Sequence, residues 1–318
     1  ARERKGTMAE SHRRPRSLVW PGGRAFAFSV FDDTDEATLE NVAPVYRLLD
    51  ELGFRTTKSV WPCRGPRTPL IDGATCADPD YLAWTKELAE RGFEIAFHMA
   101  TYHTSGREET LAALERFRSE FGHRPRTMAN HADCGENIYW GDARLTGLNR
   151  FVYNLMTRWR NCGRFRGHIE GDPLYWGDAC SEQIDYVRNF VFREPNTLRA
   201  CPFMPYHDPA RPCVRAWFAS SEGADVDSFV RTTSEANMDR LEREGGACIV
   251  YTHFSNGFVR EGSLDPRFEE RMRELAERPG WFVPVATVLD HLAADGIHHL
   301  TDLERWRLET RWLASKLL

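Results

Sequence analysis

The chain has 318 residues, of which 42% are apolar and 28% charged, and its formal net charge is −5. These proportions are typical of a folded globular protein and exclude both general disorder and collagen-like structure. The mildly acidic balance argues against a generic nucleic-acid-binding protein, and the length suits one large α/β domain or two small ones.

The N-terminal segment, residues 1–17, is polar and basic, and it has no apolar core of the kind found in signal peptides. We expect it to be a mobile basic tail. No apolar run reaches the roughly 18 residues needed to cross a bilayer, so no membrane span is expected. The eight cysteines include no C-x-x-C pair, which is typical of reduced thiols and predicts a cytoplasmic protein.

The first half of the chain alternates short apolar runs with helical patterns. The run RAFAFSVF predicts a buried strand over 24–31. Apolar residues at helical spacing follow over 36–52, and Gly53 is a stop signal. The same reasoning predicts strands at 54–61, 93–97 and 126–130, and helices at 78–91 and 106–121.

The region 131–230 is rich in Gly, Trp, Tyr and Pro, and we expect long loops there with one strand over 184–192. Regular patterns then return, with strands predicted at 247–252 and 281–284 and helices at 234–244, 266–277, 285–294 and 301–316. Alternating strands and helices indicate an α/β fold, either a barrel or a doubly wound sheet. We expect one catalytic domain over 18–298 and a C-terminal helix packed on it over 299–318.

Residues with metal-binding or acid–base chemistry follow four of the predicted strands. In α/β folds, functional residues gather where strands end. The residues at these strand ends are Asp32, Asp33, His98, His103, Asn130, His131 and His253.

Adjacent carboxylates at the end of an apolar strand are costly to bury unless a cation or solvent is present. Asp32 and Asp33 therefore indicate a cation site, although Asp33 or Asp35 could simply cap the following helix. Two imidazoles with a carboxylate suit zinc, so His98 and His103 could complete such a site, or they could be unrelated loop residues.

His253 ends the run ACIVYT. At a strand end facing a pocket it could act as a general acid near neutral pH, or it could cap the sheet.

The order of the segments FSVFDDTD, TTKSV, FEIAFHMATYH, FGHRPR and CIVYTH resembles the NodB-like polysaccharide deacetylase family, carbohydrate esterase family 4. The resemblance is good over residues 20–130 and moderate over 234–295. It implies a deformed (β/α) barrel with long loop insertions in the middle of the chain, and one divalent metal ion, most often zinc.

The family's pattern also implies roles for individual residues. Asp32 matches the catalytic base, and His253 matches the catalytic acid. Asp33, His98 and His103 match the three metal ligands. A metal held by three ligands keeps coordination positions open for water and an acyl oxygen. The catalytic acid, His253, would protonate the leaving amine.

This chain departs from the family's pattern at three places. Thr34 stands where the family has a small residue after Asp-Asp. The two histidines are five residues apart, where the family has four, and the Arg-x-Pro-x-Gly loop after the fourth strand is absent. Asn130 and His131 stand in that place, and with Tyr102 and Trp140 they are our predicted substrate contacts. These departures suggest a divergent member.

The resemblance implies a metal-dependent hydrolase that removes an acyl group, in most members N-acetyl, from a sugar or glycan. Two alternatives remain open: a metal-binding or sugar-binding pseudoenzyme of the same fold, and a small-amide hydrolase of deformylase or allantoinase type. VFDDTDEATL also resembles the start of a haloacid-dehalogenase phosphatase, but the later lysine and acidic pair which that chemistry needs have little support in the sequence.

Overall fold

The apolar run predicted as the first strand forms the start of a parallel barrel. The computed structural model of the protein describes residues 18–66 and 71–317; the predicted tail, 1–17, lies outside them. The first strand, Phe26–Asp32, is buried at every position. Burial on both faces is expected of a parallel strand covered by other elements on either side.

The strands of the described residues are β1 (Phe26–Asp32), β2 (Thr57–Val60), β3 (Glu94–Phe97), β4 (Thr127–Met128), β5 (Tyr186–Phe192), β6 (Tyr206–His207), β7 (Ala216–Ser221), β8 (Ala247–Thr252), β9 (Val259–Arg260), β10 (Ser263–Leu264), β11 (Gly280–Phe282) and β12 (His298–His299). Seven of them are parallel and close into a ring in the order β1-β2-β3-β4-β5-β7-β8, and β8 pairs with β1 over six residue pairs. Because the sheet closes on itself, the fold is the predicted deformed (β/α) barrel, and the doubly wound alternative is excluded.

The connections between barrel strands carry most of the helices. They are α1 (Leu39–Glu51), α2 (Pro79–Glu90), α3 (Arg107–Phe121), α4 (Gly147–Met156), α5 (Gly177–Gln183), α6 (Thr197–Ala200), α7 (Val226–Thr232), α8 (Glu235–Glu244), α9 (Pro266–Ala276), α10 (Val285–Leu292) and α11 (Asp302–Leu317). No helix among the described residues is long and apolar enough to cross a membrane.

The middle of the chain contains both the expected long connections and unpredicted structure. Residues 157–176 run without helix or strand. However, β7 is a barrel strand that the sequence pattern did not predict, because its sequence, AWFASS, consists largely of small side chains without apolar alternation. All six of its residues are buried in the wall of the barrel.

The C-terminal helix α11 packs against α4 and β5. The ring of Trp312 lies 5.0 Å from that of Phe190 in β5 and 5.9 Å from that of Tyr153 in α4. The buried carboxylate of Glu309 pairs with Arg211 at 3.0 Å. These contacts place the end of α11 beside the C-terminal ends of the barrel strands.

Candidate metal centre and active site

A cavity of about 350 Å³ is lined by residues that follow several barrel strands. Parallel strands deliver their C-terminal ends to one face of a barrel, so residues far apart in sequence meet there. The acidic and histidine side chains in the cavity wall include Asp33, Asp35, His98 and His253.

Three side chains converge at one side of this cavity. Nε2 of His98 lies 3.1 Å from Asp35 Oδ1, and Nε2 of His131 lies 3.4 Å from the same oxygen. Both imidazoles are 1% exposed. Among the described residues, these three form the one group of His, Cys, Asp or Glu side chains whose potential ligand atoms all lie within 4.8 Å of one another.

The spacing of these atoms fits a divalent metal. Ligands about 2.1 Å from a tetrahedral zinc ion lie about 3.4 Å from one another, close to the two observed separations. Nε2 of His131 is buried without a hydrogen-bond partner. Burial lowers the pKa of His131 to about 4, so its imidazole is neutral at pH 7 and its lone pair is available. The residues present therefore fit a metal ion.

The observed trio differs in two members from the predicted ligands Asp33, His98 and His103. Met99 has a left-handed backbone conformation, with φ of 67°, directly after His98. The segment that follows lies along the loop after β2, where Ala100 O accepts a hydrogen bond from Cys63 N. A Cβ on Gly65 would lie 2.4 Å from the ring of His103, so His103 lies against that loop.

Asp33 makes a bidentate ion pair with Arg188. The two hydrogen bonds, from Arg188 Nη1 and Nη2 to the carboxylate, are 2.7 and 2.5 Å long, and both side chains are 4% exposed. Arg188 comes from β5, across the barrel from β1, and its guanidinium also lies 4.4 Å from the ring centre of Tyr251. This geometry fixes the orientation of the carboxylate at the cavity wall.

Asp32 points away from the cavity, toward α1. Its carboxylate lies 2.9 Å from Lys58 Nζ, and it accepts hydrogen bonds from Tyr46 Oη (3.0 Å) and Phe254 N (2.9 Å). Adjacent residues of a strand project to opposite faces, so Asp32 and Asp33 cannot both face the barrel interior. Burial raises the pKa of Asp32 although Lys58 opposes the shift.

His253 lies on the other side of Asp35. Its Nδ1 donates to the carbonyl of Ala224 at 3.0 Å, and its Nε2 lies 3.4 Å from Asp35 Oδ2. Burial alone would lower the pKa of His253, but the hydrogen bond to Asp35 and the charge of Asp33 raise it to about 9. The imidazole therefore has a proton to donate at neutral pH.

The four predicted substrate contacts occupy different environments. Trp140 and Asn130 line the cavity, and Asn130 also makes two hydrogen bonds with the backbone of Ile138 that hold the loop after β4 in place. His131 belongs to the metal-type trio. The largely buried Tyr102 packs edge-on against Trp61 at 5.2 Å between ring centres.

Two residues of the site were missed by the sequence reasoning as functional groups. The sequence indicates Asp35 only as a possible helix cap, although it stands in the same acidic segment as Asp32 and Asp33. Arg188 had a usable signal, because it is the one charged residue in the strand YVRNFVF. A lone charge in a buried strand requires a partner, which here is Asp33.

No protein-family model and no curated protein matches this chain. Solved structures do match it. A structure of PuuE allantoinase has a TM-score of 0.50 and 14% sequence identity, with 88% of this chain and 98% of that one covered. A putative polysaccharide deacetylase from Mycobacterium smegmatis has a TM-score of 0.51 and 12% identity, covering 89% of this chain and 96% of that one.

A probable polysaccharide deacetylase from Pseudomonas aeruginosa PAO1 has a TM-score of 0.50 and 14% identity, covering 89% of this chain and 99% of that one. At such low identity these likenesses show a shared fold. The fold that the sequence resemblance implied is confirmed.

Proposed function

We propose that the protein is a divergent member of the polysaccharide deacetylase family, a metal-dependent hydrolase that removes an acyl group from an acylated sugar. The observation that carries this proposal is the convergence of Asp35, His98 and His131. They would hold one divalent metal ion, for which zinc is our first candidate because two imidazoles and a carboxylate suit it. The shared fold with structures described as polysaccharide deacetylases supports this reaction class.

When bound there, a divalent metal polarises an acyl carbonyl and lowers the pKa of a water molecule toward 7. The proposed ligand set keeps His98 from the sequence prediction and replaces Asp33 and His103 by Asp35 and His131. The replacement rests on the observed distances to Asp35 Oδ1.

We assign the general base to Asp33 in place of Asp32. Asp33 lines the cavity, and Arg188 holds both of its oxygens. Asp33 would accept the proton of the attacking water, and Arg188 would keep the carboxylate correctly oriented during that transfer. Asp32 is enclosed by Lys58 and Tyr46 on the other face of β1.

His253 keeps the role of general acid that the sequence resemblance implied. Its Nδ1 is occupied by the carbonyl of Ala224, which leaves Nε2 as the atom that can donate into the cavity. A proton delivered from Nε2 would allow the amine to leave, because expulsion of an unprotonated amine is difficult.

Metal analysis of purified variants tests the ligand set. His131→Ala and Asp35→Asn should both lose the metal that copurifies with the unmodified protein, whereas His103→Ala should keep it. His98 belongs to both ligand sets, so His98→Ala should lose the metal in either case and serves as the positive control. Retention of metal by His131→Ala together with its loss from His103→Ala would restore the set predicted from sequence.

Turnover assays separate the proposed hydrolase from its alternatives. Release of acetate from N-acetylated sugars by the metal-loaded protein supports a deacetylase, and metal binding without turnover of any amide supports the pseudoenzyme. Two observations favour the small-amide alternative. The fold is shared with the structure of PuuE allantoinase as well as with the deacetylases, and the cavity of about 350 Å³ is at the small end for a ligand site. Turnover of allantoin or N-formyl compounds in preference to acetylated sugars would support it.

A further inference from the structure

Arg144 is a buried cation in the wall of the same cavity. It is the last residue of the short 3-10 helix Gly141–Arg144 and is 8% exposed. Its guanidinium lies 3.9 Å from the ring centre of Trp140 and 4.6 Å from that of Trp312 in α11. The two indoles hold the guanidinium in place from two sides, and they leave its N–H groups to be satisfied by other partners.

Few such partners are present. Nε of Arg144 is buried without a hydrogen-bond partner, and Nη1 reaches the carbonyl of Asn189 only at 3.4 Å. Among ionisable groups, Tyr153 forms a side-chain hydrogen bond with it and Arg188 repels it, and neither is a carboxylate. Burial lowers the pKa of Arg144 to about 10, so it is still a cation at neutral pH. A buried charge without a counter-ion is costly, which indicates that a ligand supplies one.

The other charged groups in the cavity wall are already engaged. Arg188 pairs with Asp33, and Asp35 faces the imidazoles of the proposed metal centre. Glu222 accepts a hydrogen bond from Ala224 N at 3.2 Å and lies near Lys316, an exposed residue of α11 at the cavity. Arg144 is therefore the buried cation of this cavity that lacks a carboxylate.

We propose that Arg144 binds a carboxylate of the substrate, so that the enzyme acts on small N-acylated sugar acids. This inference rests on the proposed function, because the acyl group must lie at the metal centre while the carboxylate reaches Arg144. An Arg fork matches a carboxylate through two parallel N–H···O bonds, and the terminal nitrogens of Arg144, which lines the cavity, can supply them. Lys316 would add a second positive charge at the edge of the site.

The size of the cavity agrees with a small acid. About 350 Å³ lies at the lower end of the range for small-molecule sites. Trp312 and Lys316 of the C-terminal helix form part of its wall, next to Trp140. Aromatic side chains around a buried cation without a carboxylate partner favour a ligand with an apolar ring face and one anionic group.

The test compares N-acetylglucosaminuronate with its uncharged parent, N-acetylglucosamine, as substrates of the metal-loaded full chain. We expect a higher kcat/KM for the acid. Arg144→Met should lower kcat/KM for the acid by roughly 10- to 100-fold, mainly through KM, the loss expected for a charge-assisted hydrogen bond. The loss should be much larger for the acid than for the parent sugar, and Arg144→Lys should restore part of the preference.

Two controls keep the result interpretable. Arg150 is a half-exposed arginine paired with Asp142 at 2.7 Å, so Arg150→Met removes the same charge outside the cavity wall and should not change the preference. Lys316→Met removes the second positive charge at an exposed position. Like Arg144→Met, it should lower kcat/KM for the acid, and it should do so without disturbing the core. Circular dichroism and thermal melting verify that each variant folds.

Direct binding separates failure of this inference from failure of the proposed function. If neither sugar is turned over, titration calorimetry with N-acetylglucosaminuronate still reports the anion site, and binding that is lost in Arg144→Met and kept in Arg150→Met supports it. Equal turnover or equal binding of both sugars, or acid binding unchanged by Arg144→Met, overturns it.

Discussion

Lys58 Nζ lies 2.9 Å from Asp32 Oδ2, and neither side chain is exposed at all. The two residues are paired directly across β1 and β2. Removal of one partner of a buried ion pair leaves an uncompensated charge, which costs about 3–5 kcal/mol. We therefore expect Lys58→Met to lower the free energy of unfolding by about that amount, measured by urea denaturation.

The matched control for that change is Lys86→Met. Lys86 pairs with Glu120 at 2.7 Å but is 42% exposed, so its loss should cost no more than about 1 kcal/mol. The double variant Asp32→Asn/Lys58→Met should recover much of the stability, because neither charge then remains buried. An equal loss in both single lysine variants would contradict a structural role for the buried pair.

Asp33→Asn tests the assignment of the general base. Asn cannot accept the proton, so kcat should fall by roughly 10²–10⁴-fold while metal content stays unchanged. Asp32→Asn should instead lower the free energy of unfolding and leave the kcat of the folded protein largely unchanged. Rates, metal content and urea curves measured on both variants decide between them; full stability with no turnover in Asp32→Asn would return the base to Asp32.

His253→Ala should affect substrates according to their leaving group. An amine needs a proton to depart, whereas the phenolate of an aryl ester leaves without one. We expect turnover of an N-acetyl amide to fall by roughly 10²–10⁴-fold and hydrolysis of an aryl acetate to fall far less. Metal content should not change. Equal losses on both substrates would indicate that His253 acts by positioning Asp35, which lies 3.4 Å away.

Much of the site's composition could be predicted because strand ends are visible in the sequence. The apolar runs before His98 and His253 become β3 and β8, and parallel packing brings their ends to one face. The periodicity of a strand also implies that only one of Asp32 and Asp33 faces the barrel interior. It does not tell which one, because the barrel's inner and outer faces are both apolar in β1.

Other features depend on geometry that a single sequence does not encode. His131 replaces His103 in the observed trio because the backbone turns into a left-handed conformation at Met99, where no glycine signals it. Arg188 meets Asp33 from 155 positions away, through closure of the barrel. Arg144 looks like an ordinary loop arginine until α11 places Trp312 beside it.

A buried carboxyl group outside the proposed centre predicts how stability varies with pH. Glu136 is 0% exposed, and burial raises the pKa of its carboxyl group to about 8. The folded protein therefore holds a proton that the unfolded chain releases near pH 4.5. The contribution of this protonated carboxyl group to the free energy of unfolding is fully present below pH 4.5 and is lost as the pH rises toward and through 8.

Glu136→Gln should remove this pH dependence, because Gln imitates the protonated acid and does not titrate. The free energy of unfolding of the variant should therefore compare more favourably with that of the unmodified protein at pH 8 than at pH 5. The change between the two pH values should be on the order of a few kcal/mol. Urea denaturation at both pH values measures the difference. Glu109→Gln, at a largely exposed carboxylate that caps α3, is the control and should show no comparable gain. Parallel pH profiles for Glu136→Gln and the unmodified protein would mean that Glu136 is ionised in the folded state.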